Sequence, residues 1–131
     1  MIIRTPYEDL LSEAQSMQDF LESEYADDIH SICIRGDQLS AYIPRLGKML
    51  ADSKYWLNEA LGSQSISVIN EIIGKQLKLS SKVQNAMIDG ICRDYQYLVD
   101  WVERLNKSAV HQQRWCITQV SKEKELLKLN M

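Results

Sequence analysis

From Val83 to Leu129 the chain contains no proline and keeps a helical period throughout. Met87, Ile91, Leu98, Val102, Leu105, Ala109, Cys116, Val120 and Leu127 recur at spacings of four, seven and three, which lays one apolar stripe along a long helix. No strand pattern competes with it: the short β-branched run from Ile66 to Ile73 fits the helical period better than an alternating one. The expected fold is therefore all-α. At 131 residues the chain makes one domain spanning residues 1–131, with a modest core if its helices pack along much of their length.

The first helix announces its start. Thr5-Pro6-Tyr7-Glu8 reads as a capping box, with Thr5 accepting from the backbone at Glu8, Pro6 placed where its missing N–H is harmless, and Glu8 reaching back. Tyr7, Leu10, Ala14, Met17 and Leu21 then form a three-four stripe. The end of this helix is open, because Ser23 to Asp28 allows a short turn or a continuation. Helix two has the most regular seam, Ile29, Ile32, Gly36, Leu39, Ile43, Leu46, Leu50, Leu57 and Leu61. Pro44 removes a hydrogen bond to the Ser40 carbonyl, yet the seam keeps its phase across it, so one kinked helix is expected in place of two. Gly36-Asp37 is the other candidate break.

Leu61-Gly62-Ser63-Gln64-Ser65 reads as the best turn, with Gly62 closing one helix and a serine capping the next. Gly74 and Gly90 each weaken a helix by about 1 kcal/mol without being strong stops. A single helix from Ser65 to Leu127 would be roughly 90 Å long, more than a compact domain of this size can use. Either a break falls at Leu79-Ser80-Ser81, or the chain is an elongated hairpin. The expectation is an elongated antiparallel helical hairpin or bundle of three to four helices, completed by oligomerisation in a coiled-coil manner.

Charge and cysteine usage bound the setting. Residues 1–62 carry five basic and eleven acidic side chains and residues 63–131 carry ten and seven, so the halves are −6 and +3. Such a chain pairs its own halves or pairs with another copy. Cys33, Cys92 and Cys116 are odd in number and lie on or near apolar stripes, so buried free thiols in a reducing cytoplasmic setting are expected. No apolar run approaches a membrane span and no leader pattern opens the chain, so neither a membrane partner nor a secretory signal is expected.

Chemistry is sparse. His30 and His111 are the two histidines, no Cys-x-x-Cys or His-x-x-x-His pair exists, and glycines occur singly. Metal sites, cofactors and catalytic residues are accordingly not expected, and neither is an enzyme. What stands out is a second stripe on the last helix, Trp101, Arg104, Ser108, His111, Trp115, Thr118 and Lys122, with Arg114 beside it. Imidazole, guanidinium and indole on one face can meet a phosphate or a base. The same geometry suits an inter-helix network in which Arg104 and His111 meet carboxylates such as Asp52 or Glu59, and a lone histidine between helices more often belongs to such a network. Lysines 75, 78, 82, 107, 122, 124 and 128, interleaved with Tyr95, Tyr97, Trp101 and Trp115, echo single-strand binding surfaces, although nearby carboxylates dilute them.

Two segments carry a resemblance. Leu46 to Leu57, LGKMLADSKYWL, and Trp101 to Glu125, WVERLNKSAVHQQRWCITQVSKEKE, resemble small helical proteins of unassigned function encoded by phages and prophages, some of them near single-strand annealing or other recombination genes. The positions concerned are Gly47, Lys48, Met49, Leu50, Ala51, Lys54, Trp101, Arg104, Leu105, Asn106, His111, Gln112, Ser121 and Lys122; Pro44 departs from the helix-friendly residue of such proteins. The resemblance implies a phage-type accessory protein of DNA recombination or replication. The expected function is a non-enzymatic interaction protein, a homo-oligomer that handles single-stranded DNA or a DNA-coating protein, with Arg104, His111 and Arg114 as phosphate partners and Trp101 and Trp115 as stacking platforms. The alternative is a purely structural oligomer, a scaffold or adaptor without nucleic-acid binding.

Overall fold

A computed structural model describes residues 2–76 and 78–130. The chain is all-α, with four helices in the order α1 (Tyr7–Glu22), α2 (Ile29–Lys75), α3 (Ser81–Ile91) and α4 (Arg93–Leu129), and no strand among the described residues. At 1.5 Å per residue, α2 extends about 70 Å and α4 about 55 Å. They run antiparallel and form the main interface of the molecule, with α1 laid against both near one end and α3 against the far end of α2.

The core follows the predicted stripes. Leu10, Ala14 and Met17 of α1, Ile32, Leu39, Leu46 and Met49 of α2, and Leu98, Val102, Leu105, Ala109 and Cys116 of α4 form one buried cluster. Aromatic and aliphatic side chains, among them Tyr7, Phe20, Tyr42, Trp56 and Val120, close over it. Gly36 lies where α2 and α4 come close: a Cβ built there would sit 3.5 Å from that of Cys116. Cys92 and Cys116 are buried, as expected of small apolar side chains, whereas Cys33 is exposed. Burial pushes both the Cys92 and Cys116 thiols above their ordinary pKa, which suits inert packing groups.

Several local expectations are corrected. Helix α2 passes through Pro44 as one helix, as expected, but it also passes without interruption through Gly36-Asp37 and through Leu61 to Ser65, so the turn expected at Gly62 does not form. A lone glycine costs only about 1 kcal/mol in a helix. Ser65 bonds back to the Leu61 carbonyl at 2.6 Å, a helical arrangement rather than a cap. The helix ends at Gln76, whose φ of 52° is left-handed, and Ser80 then caps α3 by accepting from the Val83 N–H. Of the two alternatives for this stretch, a break just before Ser81 is the one present. The run from Val83 to Leu129 is two helices, interrupted at Cys92 just after Gly90, although the amide of Cys92 still reaches the Ile88 carbonyl at 3.0 Å. The stripe drawn along it is buried only at its centre, with Met87, Ile91 and Leu127 exposed.

The capping box also fails to form. Helix α1 begins after Pro6 with no side-chain cap, because Thr5 is engaged by α2. Its N–H donates to Asp52, its hydroxyl accepts from Arg45, and its carbonyl accepts from the Trp56 indole at 2.7 Å. Lys48 reaches the Ile3 carbonyl as well, so the segment before α1 is tied across α2.

Candidate functional site

The polar interior of the molecule centres on Arg35. This side chain is 4% exposed and has no carboxylate partner among the described residues. Its guanidinium donates to the Phe20 carbonyl at 2.7 Å, the Leu21 carbonyl at 3.3 Å, the Ser23 hydroxyl at 2.9 Å and Gln112 Oε1. Those carbonyls close α1, where unsatisfied acceptors and the negative end of the helix dipole favour a cation. The rings of Phe20 and Tyr25 lie 4.0 and 4.7 Å from the guanidinium carbon and supply further attraction. Gln112 completes the junction by donating to the Leu21 carbonyl at 2.8 Å. An arginine three residues after Ile32 and four before Leu39, on the apolar seam itself, was the sequence signal for this site.

The five candidate residues divide between that interior and the outer face of α4. Trp101 is half-buried; it packs against the core and donates its indole N–H to Gln18 of α1 at 3.0 Å. Trp115 is 41% exposed, and its ring meets Tyr25 edge-on at 6.1 Å. Tyr25 is in turn held over Arg35, so the buried junction orients the exposed indole. Arg104, His111 and Arg114 are exposed on α4. The network expected between Arg104, His111 and carboxylates of helix two does not form among the described residues: Asp52 is taken by Lys48 and the Thr5 amide. Burial would raise the Asp52 carboxyl, but these hydrogen bonds outweigh it and hold the group below its ordinary pKa.

On a helix of 3.6 residues per turn, Tyr97, Arg104, His111, Trp115 and Lys122 fall on one line, with Arg114 to one side. Tyr97 was not among the favoured contact residues, yet it is 65% exposed, more than either candidate tryptophan. Arg104 sits between two shallow depressions, one shared with Asp100, Glu103 and Lys107 and the other with Lys107, Ser108, His111 and Gln112. Lys107 is paired with Glu103 at 3.3 Å; Arg104, Arg114 and Lys122 have no ion pair among the described residues. The face therefore offers uncommitted cations and two open aromatic rings over about 38 Å of helix.

Among the described residues no group of three or more histidine, cysteine or acidic side chains could hold a metal ion, and no helix is long and apolar enough to cross a membrane. No protein-family model, curated protein or solved structure matches the chain.

Proposed function

We propose that this protein is a non-enzymatic accessory factor of the phage or prophage type, acting in the cytoplasm in DNA recombination or replication and contacting single-stranded DNA along the outer face of α4. The observation that carries the reading is the set of exposed cations Arg104, Arg114 and Lys122, which have no carboxylate partner among the described residues, interleaved with the open rings of Tyr97 and Trp115. Cations track a phosphate backbone and rings stack on bases, a sequence-tolerant combination. Trp101 takes a supporting part, bracing α4 on α1 through Gln18. In the same reading the protein works as a homo-oligomer.

The test is fluorescence anisotropy of a labelled single-stranded oligonucleotide, at low salt and near 0.2 M salt. Binding should weaken steeply, with a log–log slope of about −0.7 per phosphate neutralised, so Arg104→Ala and Arg114→Ala should each make the slope shallower by about that amount. Trp115→Ala should cost about 1–3 kcal/mol of binding and leave the slope unchanged. No binding at about 50 µM protein in low salt, well within the usual non-specific range, removes the DNA reading. That result would favour the structural alternative, a scaffold or adaptor, for which the apolar surface at the far end of α2 speaks.

A further inference from the structure

Helix α1 lies along one flank of the outer face of α4, and its charge is opposite to that of the face. It carries five carboxylates and no basic side chain. Contacts fix which flank it takes: the Trp101 indole donates to Gln18, and Gln112 donates to the Leu21 carbonyl. Gln18 in turn donates to Glu22 at 2.6 Å, so two successive hydrogen bonds separate the Glu22 carboxylate from an indole of α4. At about 100° per residue, Glu22 and then Asp19 follow Gln18 around α1 on the side turned away from the buried Ala14 and Met17. Both carboxylates are exposed, each accepts from a glutamine of α1, and neither has an ion pair among the described residues.

Across α4 the charge runs the other way. From the line of Arg104 and Lys122, Gln112 lies about 80° around the helix toward α1 and Arg114 about 80° around it the other way, while Tyr97 and Trp115 lean about 20° to the α1 side. Asp100 and Glu103 precede this track on the far flank, where Glu103 holds Lys107. A backbone that follows Arg104, Arg114 and Lys122 therefore runs on the flank away from α1, with its bases leaning over the rings toward α1. We infer that α1 makes this face selective for single-stranded DNA, with Asp19 and Glu22 as the residues that exclude a duplex. The inference rests on the DNA reading above and adds its specificity. In a duplex, the strand paired to those bases would lie on the α1 side, and its phosphates would meet the α1 carboxylates. Charges on α1 reach about 10 Å at 0.1 M salt, so a lone backbone on the far flank feels them least. Repelling the wrong partner is an effective route to specificity, and like charges brought together are costly.

Anisotropy titrations of the full chain at low salt, with a labelled single strand and with the same strand annealed to its complement, test the proposal. The wild-type protein should bind the single strand roughly tenfold tighter or more. Asp19→Asn combined with Glu22→Gln keeps the side-chain shapes and the acceptors for Gln15 and Gln18, so helicity by circular dichroism should not change. That variant should tighten duplex binding roughly fivefold and single-strand binding by less than about twofold, and the difference should fade at about 0.2 M salt. Asp9→Asn removes an exposed carboxylate on the opposite side of α1 from Gln18 and should leave the ratio of the two affinities unchanged. A ratio that does not move in the double variant, while the single strand still binds, overturns the role of α1 alone. An equal shift with Asp9→Asn, or a wild-type chain that binds duplex as tightly as single strand, does the same. No single-strand binding at about 50 µM protein removes the DNA reading and this selectivity together.

Discussion

The two ends of the long α2–α4 hairpin are built differently. Where α1 joins them, three helices surround a continuous core and buried polar groups are paired; at the other end α3 buries none of its own residues, and Val68 and Cys92 are the buried apolar side chains. The first end is complete within one chain. The second is an arm that exposes isoleucines a globular domain would cover, and an isolated helix of 11 residues such as α3 has little stability of its own. Stability and interaction surface are thus separated along one helix: the amino-terminal half of α2 holds the fold, and the carboxy-terminal half is left for something else to hold.

The comparison breaks most directly with paired truncations. Leu46→Ala, at a position with no exposure, should lower the unfolding free energy by about 2–5 kcal/mol. Ile66→Ala on the arm, measured by urea denaturation where the chain is dilute enough to be monomeric, should change it by no more than about 0.5 kcal/mol. Equal costs would mean that the arm belongs to the same cooperative core. The next largest effect is expected at the α1 junction. Arg35→Met keeps the aliphatic packing but removes the donor to Gln112 Oε1 and one of the donors to the Phe20 and Leu21 carbonyls, which keep Ser23 and Gln112, at a cost of about 1–3 kcal/mol. A neutral result would show that α1 docks by apolar contact alone.

A smaller effect separates the ends by pH. Asp52 is nearly fully buried and its carboxyl is held below the ordinary value by Lys48 and the Thr5 amide. A group depressed in the folded state contributes stability that is complete above its unfolded pKa of about 3.9 and is lost as pH falls through the folded value. Unfolding followed between about pH 5 and pH 2 should therefore show an acid-side loss that Asp52→Asn reduces, with the substitution costing about 1 kcal/mol at neutral pH. The loss belongs to the tied segment before α1; on the arm Lys75 also holds the Glu71 carboxyl below its ordinary pKa, but that pair is exposed and screened by water, so the arm should add little to it.

These differences explain which parts of the molecule could be read from sequence. The helices and their inward faces were legible, because Leu10-Ala14-Met17 and Ile32-Leu39-Leu46 repeat at the helical period and that period is what burial selects. Helix ends were not. Gly62 carries the residue type that usually closes a helix, yet the closing left-handed residue is Gln76, and nothing local distinguishes a glycine kept for an open surface from one kept for a turn. Thr5 has the right neighbours for a cap but is claimed by Asp52, Arg45 and Trp56, partners 40 to 51 positions away. At the candidate site the outer stripe of α4 was legible as a stripe, whereas the division between Trp101, turned to α1, and Trp115, turned outward, depends on where α1 lies.

The smallest expected effect is the one that decides what the outer face of α4 is for. Arg104 and His111 are exposed and make no hydrogen bond to another helix among the described residues, so Arg104→Ala and His111→Ala should each move the unfolding free energy by no more than about 0.5 kcal/mol. Trp115 differs: its ring rests on Tyr25, which packs on Arg35, so Trp115→Ala should cost somewhat more, about 1 kcal/mol, through the lost aromatic contact. A loss of several kcal/mol at Arg104 or His111 would return them to the buried network that their spacing first suggested. Near-zero costs, combined with weakened DNA binding in the same variants, would mark two residues retained for contact rather than for folding. That is the complement of Leu46 and Arg35 on the inner side of the same hairpin.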